Sequence, residues 1–570
     1  MLSCWKLWLV FLIAFSGSSA NALSSPNGLS AAEQAARASA IADVASKISN
    51  EANTLIIRGA PYPFCWGPIA RPGSLAESIV KVEAAEINDR MDPNTPTYVG
   101  LAANTKFETE QDYVGFYDKL ASAVNRPMST DISDETFGEM RTTGFSFKIE
   151  LVRKHEAYGD ILSKVDCKHV AQVCGEGTSI TTLRALKSLF VVDLSDISQW
   201  TDPSNPHKYV PDIVGFFCYN RGRNKLLPFA THVVDAKLTY TPFDSPSEWK
   251  LAKMALNTAE INWQNMQHFV ETHITTAAVR VELMRTTAVT HPVNALLQRH
   301  FRGDIALETI STTILFAADT PVDKTFAMGS TGSIRYVHHQ VENKWSIYKT
   351  FIADAQARGI DTLPVSKYYK YGLLHWNALR RFVDTYVRAY YSCDQDVRSD
   401  HELQNWAKAC STVPQFADFP KSINSINELV NLVHHLVFTT TVRHHSMNGM
   451  VSFETMSIPY SIPSLWKPWP TRKLHPGETL NIIDYNIPVP LIPSVIGTTF
   501  LFRRVPAPAA TLLQAYSIAP FCDEVVLKDA IAQHQRALAQ IEAQIQKDEK
   551  DEKWPYTIQL PSKLPLTPWI

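Results

Sequence analysis

Two pairs of side chains in this sequence are suited to bind a metal ion. His268 and His273 are five residues apart, and His444 and Asn448 are four residues apart. The last residue, Ile570, adds a main-chain carboxylate. Three imidazoles, one amide oxygen and one carboxylate fit a non-haem metal that keeps one coordination position for water or substrate. Imidazole suits iron, copper, nickel and zinc, and the carboxylate supplies charge that stabilises a higher oxidation state.

The spacings also predict local structure. Residues five apart on a regular α-helix differ in direction by about 140°, so His268 and His273 need a wider turn to reach the same ion. A π-bulge supplies such a turn, and residues 255–285 contain no proline that would stop the helix. His444 and Asn448 share one face of a regular helix. Asparagine is a weak, neutral ligand that can leave the metal, which suits a site that changes valence.

The other histidines and the motifs that are missing narrow the choice of metal ligands and of reaction class. Eighteen histidines make a chance pair at short spacing common. Two adjacent pairs are interpreted as structural: His338 with His339, and His434 with His435. His445 is the alternative to His444 as a metal ligand. The spacing of four residues to Asn448 favours His444 as the ligand, and His445 is then a neighbour or hydrogen-bond donor. The chain has no G-x-S-x-G, H-E-x-x-H or P-loop motif, and no haem motif accompanies a histidine.

The sequence around both pairs resembles the lipoxygenase family over roughly residues 230–570, and the resemblance is thin before them. It is carried by Trp249-Lys-Leu-Ala-Lys253, His291-Pro292, Leu296-Leu297, His300-Phe-Arg302, Tyr390-Tyr391, Asp394, Asp400, Glu402-Leu-Gln404, Phe419-Pro-Lys-Ser422, Glu428-Leu429, Phe438-Thr439 and the final Ile570. The chain departs from the family in two places. Trp263 stands where the family often has a histidine that is not a ligand, and the last residues read Leu-Thr-Pro-Trp-Ile rather than Asn-Ser-x-x-Ile.

The resemblance implies a dioxygenase that converts polyunsaturated fatty acids, such as linoleate, to hydroperoxides. A metal-hydroxide would take a hydrogen atom from a bis-allylic carbon, and molecular oxygen would add to the resulting radical. The implied cofactor is one non-haem iron, held by the five groups named above. Some fungal members use manganese and place the first two histidines closer together, so the spacing here favours iron, with manganese as the alternative. The competing function is a catalytically weak lipid-binding or hydroperoxide-converting protein on the same fold.

The resemblance also indicates residues for specificity. In the family a small residue lies twenty positions after the histidine of His291-Pro292, with a leucine four further on, and here these are Ser311 and Leu315. Alanine accompanies S products and glycine R products, so serine leaves the stereochemistry open. An ordinary helical role for Ser311 is the alternative. Arg503 or Arg504 could pair with the fatty-acid carboxylate, although solvated loop charges are the simpler interpretation.

The amino terminus has the pattern of a secretory leader. Lys6 precedes an apolar run over 7–15, and Ala20-Asn-Ala22 resembles a leader-peptidase site. We therefore predict a signal peptide at 1–22, a mature chain starting near Asn21 or Leu23, and a secreted protein. No other stretch is apolar enough to span a membrane.

Loss of Cys4 would leave seven of the eight cysteines. Cys167 and Cys174 are close enough to bridge a loop, but buried thiols are the favoured interpretation.

Composition and periodicity predict a mainly α fold. A net charge of −2 and 45% hydrophobic residues describe a globular chain with a sizeable core and no charge excess that would favour nucleic acid. We expect a monomer with one large helical lipoxygenase catalytic domain over 23–570, a few short β-strands, and no room for an N-terminal β-sandwich. Predicted helices are 31–56, the region after Glu248, and 522–553; predicted strands are 188–193 and 225–230; predicted loops are 61–72 and 459–506.

Overall fold

The computed structural model describes residues 22–57, 60–68, 70–89, 100–102, 104–120, 128–153, 157–343, 346–453, 455–502 and 506–568. Helices dominate this part of the chain and strands are few, so the predicted fold class is confirmed. The α-helices are α1 (Ala31–Lys47), α2 (Leu75–Asp89), α3 (Glu110–Leu120), α4 (Asp134–Met140), α5 (Gly159–Leu162), α6 (Cys167–Cys174), α7 (Ile180–Ala185), α8 (Pro246–His268), α9 (Thr275–Thr286), α10 (Pro292–Phe301), α11 (Asp304–Ile314), α12 (Pro321–Thr325), α13 (Gly329–Glu342), α14 (Phe351–Arg358), α15 (Lys367–Arg388), α16 (Asp394–Ser399), α17 (His401–Cys410), α18 (Ile426–Phe438), α19 (His444–Phe453), α20 (Ile492–Phe502) and α21 (Lys528–Asp548). The strands are β1 (Asn50–Ile57), β2 (Ala60–Pro68), β3 (Glu150–Leu151), β4 (Leu189–Leu194), β5 (Ile213–Asn220), β6 (Lys225–Val233) and β7 (Leu238–Tyr240).

Two long helices each contain a π-helical segment. Phe269–Ile274 joins α8 to α9, and we call the resulting helix, 246–286, the first histidine helix. Thr439–Arg443 joins α18 to α19, and we call the helix over 426–453 the second histidine helix. The π-bulge predicted between the first two histidines is therefore confirmed. The second π segment goes beyond the prediction, because the spacing of His444 and Asn448 requires no irregular turn.

The first histidine helix runs through the interior, although α8 is rich in polar residues. These residues are buried because their polar groups find partners in neighbouring segments. The Asn257 side chain donates to the carbonyl of Tyr460 at 3.1 Å, and the Asn262 side chain donates to the carbonyl of Pro463 at 2.8 Å. A buried polar group costs little free energy when it is hydrogen-bonded, so these pairs allow a polar helix to occupy the core.

A five-stranded antiparallel sheet lies beside the helices, in the order β3-β4-β5-β6-β7. The predicted strands at 188–193 and 225–230 correspond to β4 and β6, so both predictions are confirmed. Alternate residues of β4 face two hydrophobic cores: Phe190 and Val192 pack in the largest core, whereas Leu189 and Val191 pack in a smaller one. Burial on both faces explains why the strand reads as a continuous apolar run.

One disulfide ties α6 to the sheet. It joins Cys174 to Cys218 on β5. The bridge between Cys167 and Cys174 that the spacing allowed is therefore wrong. The favoured interpretation of buried thiols is confirmed for Cys410 but wrong for Cys167, Cys393 and Cys522, whose free thiols are exposed. Sequence proximity was misleading, because the fold brings β5 against α6 from 44 positions away.

The predicted helix at 31–56 is too long. Helix α1 ends at Lys47, because Ile48 adopts an extended conformation and packs its buried side chain with Val281 and Ile305. The following strands β1 and β2 form an antiparallel hairpin, so the loop predicted from 61 onward is wrong as far as Pro68. Proline is tolerated in this two-stranded hairpin because the outer edge of each strand needs no ladder hydrogen bond.

Two further boundaries differ from prediction. The predicted loop 459–506 contains helix α20, and the predicted helix 522–553 is regular only over α21. Residues 521–527 form two short 3-10 turns instead. Among the described residues, no helix is long and apolar enough to cross a bilayer.

Candidate metal centre

The structure brings His268, His273 and His444 together. One ring nitrogen from each lies within 4.8 Å of the others, and all three residues are buried. The Nε2 atoms of His273 and His444 are 3.1 Å apart. Because the three come from two different helices, this convergence is a property of the tertiary fold.

The two π segments set the direction of these rings. His268 ends α8, and His273 lies within the first π segment, whose wider turn reduces the angle between side chains five residues apart. His444 begins α19 directly after the second π segment. Irregular helical turns of this kind concentrate at functional sites. Here both of them occur beside a residue of the cluster.

The environment keeps the His268 imidazole neutral. Burial, reinforced by the neighbouring His273, lowers the pKa of His268 to about 3. A neutral imidazole has a lone pair to offer a metal, whereas a protonated one does not. Three buried, converging imidazole nitrogens form the donor set that a transition metal prefers, so the described residues fit a non-haem metal.

The neighbouring residues clarify the register of the second pair. His445 directs Nε2 at the backbone carbonyl of Thr567, 3.0 Å away, and therefore contacts the C-terminal tail rather than the cluster. Asn448 is buried one helical turn after His444 on the same helix. Ile570 lies outside the described residues. Thr567, three residues before it in the sequence, contacts His445 and so lies beside the second histidine helix.

A carboxylate that the sequence did not single out orients His273. Nδ1 of His273 lies 3.3 Å from Oδ1 of Asp304, the first residue of α11. The hydroxyl of Thr276 donates to the other oxygen of Asp304. Burial raises the pKa of Asp304, and the Thr276 hydrogen bond opposes this effect. A carboxylate on Nδ1 leaves Nε2 for the metal, as is usual for histidine ligands.

Two contacts link the histidine helices on either side of the cluster. The Gln264 side chain, one turn before His268, donates to the carbonyl of Met447 at 2.9 Å. On the other side, the guanidinium of Arg443 pairs with Glu271, with Nε 3.0 Å from Oε2. The exposed fraction of these side chains is 9% for Arg443 and 3% for Glu271, so the ion pair is buried.

A small cavity adjoins the cluster. Its volume is about 30 Å³, and its wall includes His268, His273, Phe269, Ser311 and Leu315. This is the space of about one water molecule. The structure therefore places both residues suggested for specificity beside the histidines. Arg503 and Arg504 lie outside the described residues.

The sequence of this chain matches a known protein family over the region that contains the histidine cluster. The sequence profile of the lipoxygenase family matches residues 226–557. The chain belongs to the lipoxygenase family. Lipoxygenases are dioxygenases that use a non-haem metal, and the profile match includes both histidine helices.

Individual lipoxygenases are only distantly similar in sequence. The manganese lipoxygenase of Colletotrichum gloeosporioides is 28% identical over 320 residues, which is 54% of this chain and 52% of that protein. The match therefore spans about half the length of that relative. The human polyunsaturated fatty acid lipoxygenase ALOX15B is 26% identical over 401 residues, covering 68% of this chain and 59% of that protein.

Solved lipoxygenase structures share the fold. The manganese lipoxygenase of Gaeumannomyces graminis has a TM-score of 0.80 at 22% identity, covering 96% of this chain and 100% of that chain. A calcium-dependent 11R-lipoxygenase has a TM-score of 0.81 at 20% identity, covering 96% and 83%. At these identities the likeness concerns the fold alone.

Proposed function

We propose that this lipoxygenase inserts molecular oxygen into polyunsaturated fatty acids, such as linoleate, and releases fatty-acid hydroperoxides. The observation that carries the proposal is the convergence of three buried imidazoles beside a cavity with an apolar wall. The imidazoles are suited to a redox metal, and the apolar wall is suited to a hydrocarbon chain.

In this proposal His268, His273 and His444 hold the metal, Asn448 contributes its amide oxygen, and Ile570 contributes its terminal carboxylate. A metal held by these residues would supply the one-electron oxidation needed to remove a hydrogen atom from a bis-allylic carbon. Asp304 holds His273 in the tautomer that directs Nε2 to the metal. The apolar wall around the cluster keeps bulk water away from the substrate radical.

The cavity must widen when substrate binds. A volume of about 30 Å³ accepts one water molecule, whereas ligand pockets usually have about 300 Å³ or more. Ser311 and Leu315 on α11 form part of its wall, so we assign them to the control of oxygen position. We also assign Arg503 or Arg504 to the fatty-acid carboxylate.

We further propose that the metal is iron. Support comes from the five-residue spacing of His268 and His273 and from the π segment that accommodates it. Proteins named as manganese lipoxygenases are among the relatives, so metal analysis has to separate the two ions. Iron at about one atom per chain would support the proposal, and manganese in excess of iron would contradict it.

The activity test is the absorbance of conjugated dienes formed from linoleate. Wild-type protein should produce dienes with matching oxygen uptake, and His273→Ala should lose both together with the metal. A wild-type protein that binds metal and linoleate but forms no diene would favour the weak lipid-binding alternative.

We also propose that the protein is secreted. The leader-like sequence at 1–22, which lies outside the described residues except for Ala22, supports export, and so does the disulfide between Cys174 and Cys218. Disulfides persist mainly in oxidising compartments. Immunodetection should find the protein in the medium of its native cells, and retention of all of it in the cytosol would contradict export.

A further inference from the structure

The segment that follows the predicted leader is anchored from Leu23 onward. The Leu23 side chain is 6% exposed and packs in the largest core, whereas Ala22 is exposed. The backbone amide of Leu23 donates to Oε1 of Glu524 at 2.6 Å. The next amide, of Ser24, donates to the carbonyl of Thr290 at 3.0 Å. In the part of the chain that the structure describes, burial therefore starts at Leu23, directly after the Ala20-Asn-Ala22 pattern.

Glu524 is placed to receive a cation at this position. It lies between the two 3-10 turns before α21 and comes from the other end of the chain, 501 positions away. None of the ion pairs found among the described residues includes Glu524. In the uncut chain its carboxylate thus accepts a hydrogen bond from a neutral amide.

We propose that the chain is hydrolysed between Ala22 and Leu23, and that the new α-ammonium of Leu23 forms an ion pair with Glu524. A leader peptidase adds water across the peptide bond: the hydroxyl goes to the carbonyl carbon of Ala22 and the hydrogen to the nitrogen of Leu23. The released amine takes up a further proton at neutral pH. No oxidant or other reactant is needed.

Cleavage would strengthen the existing contact. The uncut contact already has a charged acceptor, and cleavage would add a positive charge to the donor, so that the hydrogen bond becomes an ion pair. The anchored segment contacts the loop between the first histidine helix and α10, because Ser24 pairs with Thr290. Arg37 donates both to the carbonyl of Ser24, at 3.1 Å, and to Glu402. The processed terminus would therefore help to hold that loop. This inference rests on the proposed export and is independent of the oxygenase activity.

The cut site is tested directly on exported protein. The full chain, with its own leader, is expressed in a host that secretes it, and the first residue is read by N-terminal sequencing and intact mass. We expect Leu23 as the first residue. Any other first residue would overturn the proposed cut.

The ion pair is tested by the reactivity of the α-amine. Two forms are prepared from a fusion that leaves no extra residue, one starting at Leu23 and one at Ala22, each as wild type and as Glu524→Gln. Asp523→Asn, the exposed acid next to Glu524, is the matched control for charge. The rate of acylation of the α-amine by acetic anhydride is measured at pH 7.

In the form starting at Leu23, Glu524→Gln should raise the acylation rate roughly tenfold, since a charged hydrogen bond is worth about that factor. Asp523→Asn should leave the rate unchanged. In the form starting at Ala22, the amine should react quickly in the wild type and in Glu524→Gln alike. Equal rates for the wild type and Glu524→Gln, when both start at Leu23, would overturn the ion pair.

Discussion

At the scale of single residues, Asp304 determines which nitrogen of His273 faces the cluster. Its carboxylate lies 3.3 Å from Nδ1 and is itself held by the Thr276 hydroxyl. No sequence pattern selects this acid, because the contact joins positions 31 residues apart on different helices. The only general signal was the expectation that a ligand histidine has a carboxylate or carbonyl partner.

Replacing Asp304 with asparagine should weaken metal binding. Asparagine keeps the size and an acceptor oxygen but cannot take the negative charge with which an ionised Asp304 increases the basicity of His273. We expect the metal affinity, measured by competition with a chelator, to fall about 10-fold to 100-fold. Thr276→Val, which leaves the carboxylate in place, should have a smaller effect. An unchanged affinity in Asp304→Asn would show that the carboxylate does not act through the histidine.

Ser311 should influence which end of the substrate radical meets oxygen. Its side chain lines the cavity beside His268, so its volume should change the free space there. We expect Ser311→Gly and Ser311→Ala to shift the position or chirality of the hydroperoxides in opposite senses, with unchanged metal content. Chiral chromatography of the linoleate products measures this. Identical product ratios in all three proteins would remove Ser311 from the substrate channel.

At the scale of elements, the two histidine helices are held together on both sides of the cluster. Gln264 reaches Met447, and Glu271 reaches Arg443. Because Arg443 directly precedes His444 and Glu271 lies between the other two histidines, the ion pair constrains the distance between the histidines of the two helices.

Removing one partner of this ion pair should be costly. Arg443→Met leaves Glu271 as an unpaired buried charge, so the free energy of unfolding should fall by about 3–5 kcal/mol. The same change at Arg388, which forms an exposed pair with Asp384, should cost at most about 0.5 kcal/mol. Chemical denaturation measures both.

The double variant separates stability from positioning. Adding Glu271→Gln to Arg443→Met removes the unpaired charge, so much of the stability should return, whereas the metal affinity should stay low because the helices are then tied only at Gln264 and Met447. Metal affinity equal to that of the wild type in the double variant would show that the ion pair does not position the histidines.

The elements also show what the sequence could and could not predict. The first π segment followed from two histidines five apart and no proline between 255 and 285. The second π segment could not be predicted, since nothing in the spacing of His444 and Asn448 requires it. The hairpin β1–β2 was missed because proline indicates a loop in most contexts, yet free strand edges also tolerate it. Ion pairs such as Glu271 with Arg443 depend on tertiary packing, which cannot be predicted from the residue pattern of a single segment.

At the scale of the whole molecule, several histidines outside the cluster are buried as neutral rings. His534 on α21 lies against the rings of Phe382 and Tyr516. Burial, with a smaller effect of His375, lowers the pKa of His534 to about 3. Burial likewise lowers the pKa of His375 to about 4. At neutral pH these rings are uncharged and pack in the core. In acid the unfolded chain binds protons at these histidines more readily than the folded chain does, so the folded state loses stability.

The sign of this effect gives an acid-stability prediction. Unfolded histidine takes up a proton near pH 6.5, whereas His534 in the folded protein stays neutral until about pH 3, so stability is lost as the pH falls through that window. His534→Leu should reduce the slope of unfolding free energy against pH between 4 and 6, by up to about 1.4 kcal/mol per pH unit. The same slope in both proteins would contradict the neutral, buried ring.

The central claim, that three buried imidazoles hold one redox metal for fatty-acid oxygenation, is tested most directly by the metal retained per chain. It should be measured by mass spectrometry in wild type, His268→Ala, His273→Ala, His444→Ala and, as the control, His445→Gln, which can still donate to Thr567. The account predicts about one metal atom in wild type and the control, and less than about a tenth of that in the three alanine variants. Full metal content in His444→Ala, with loss in His445→Gln, would contradict it.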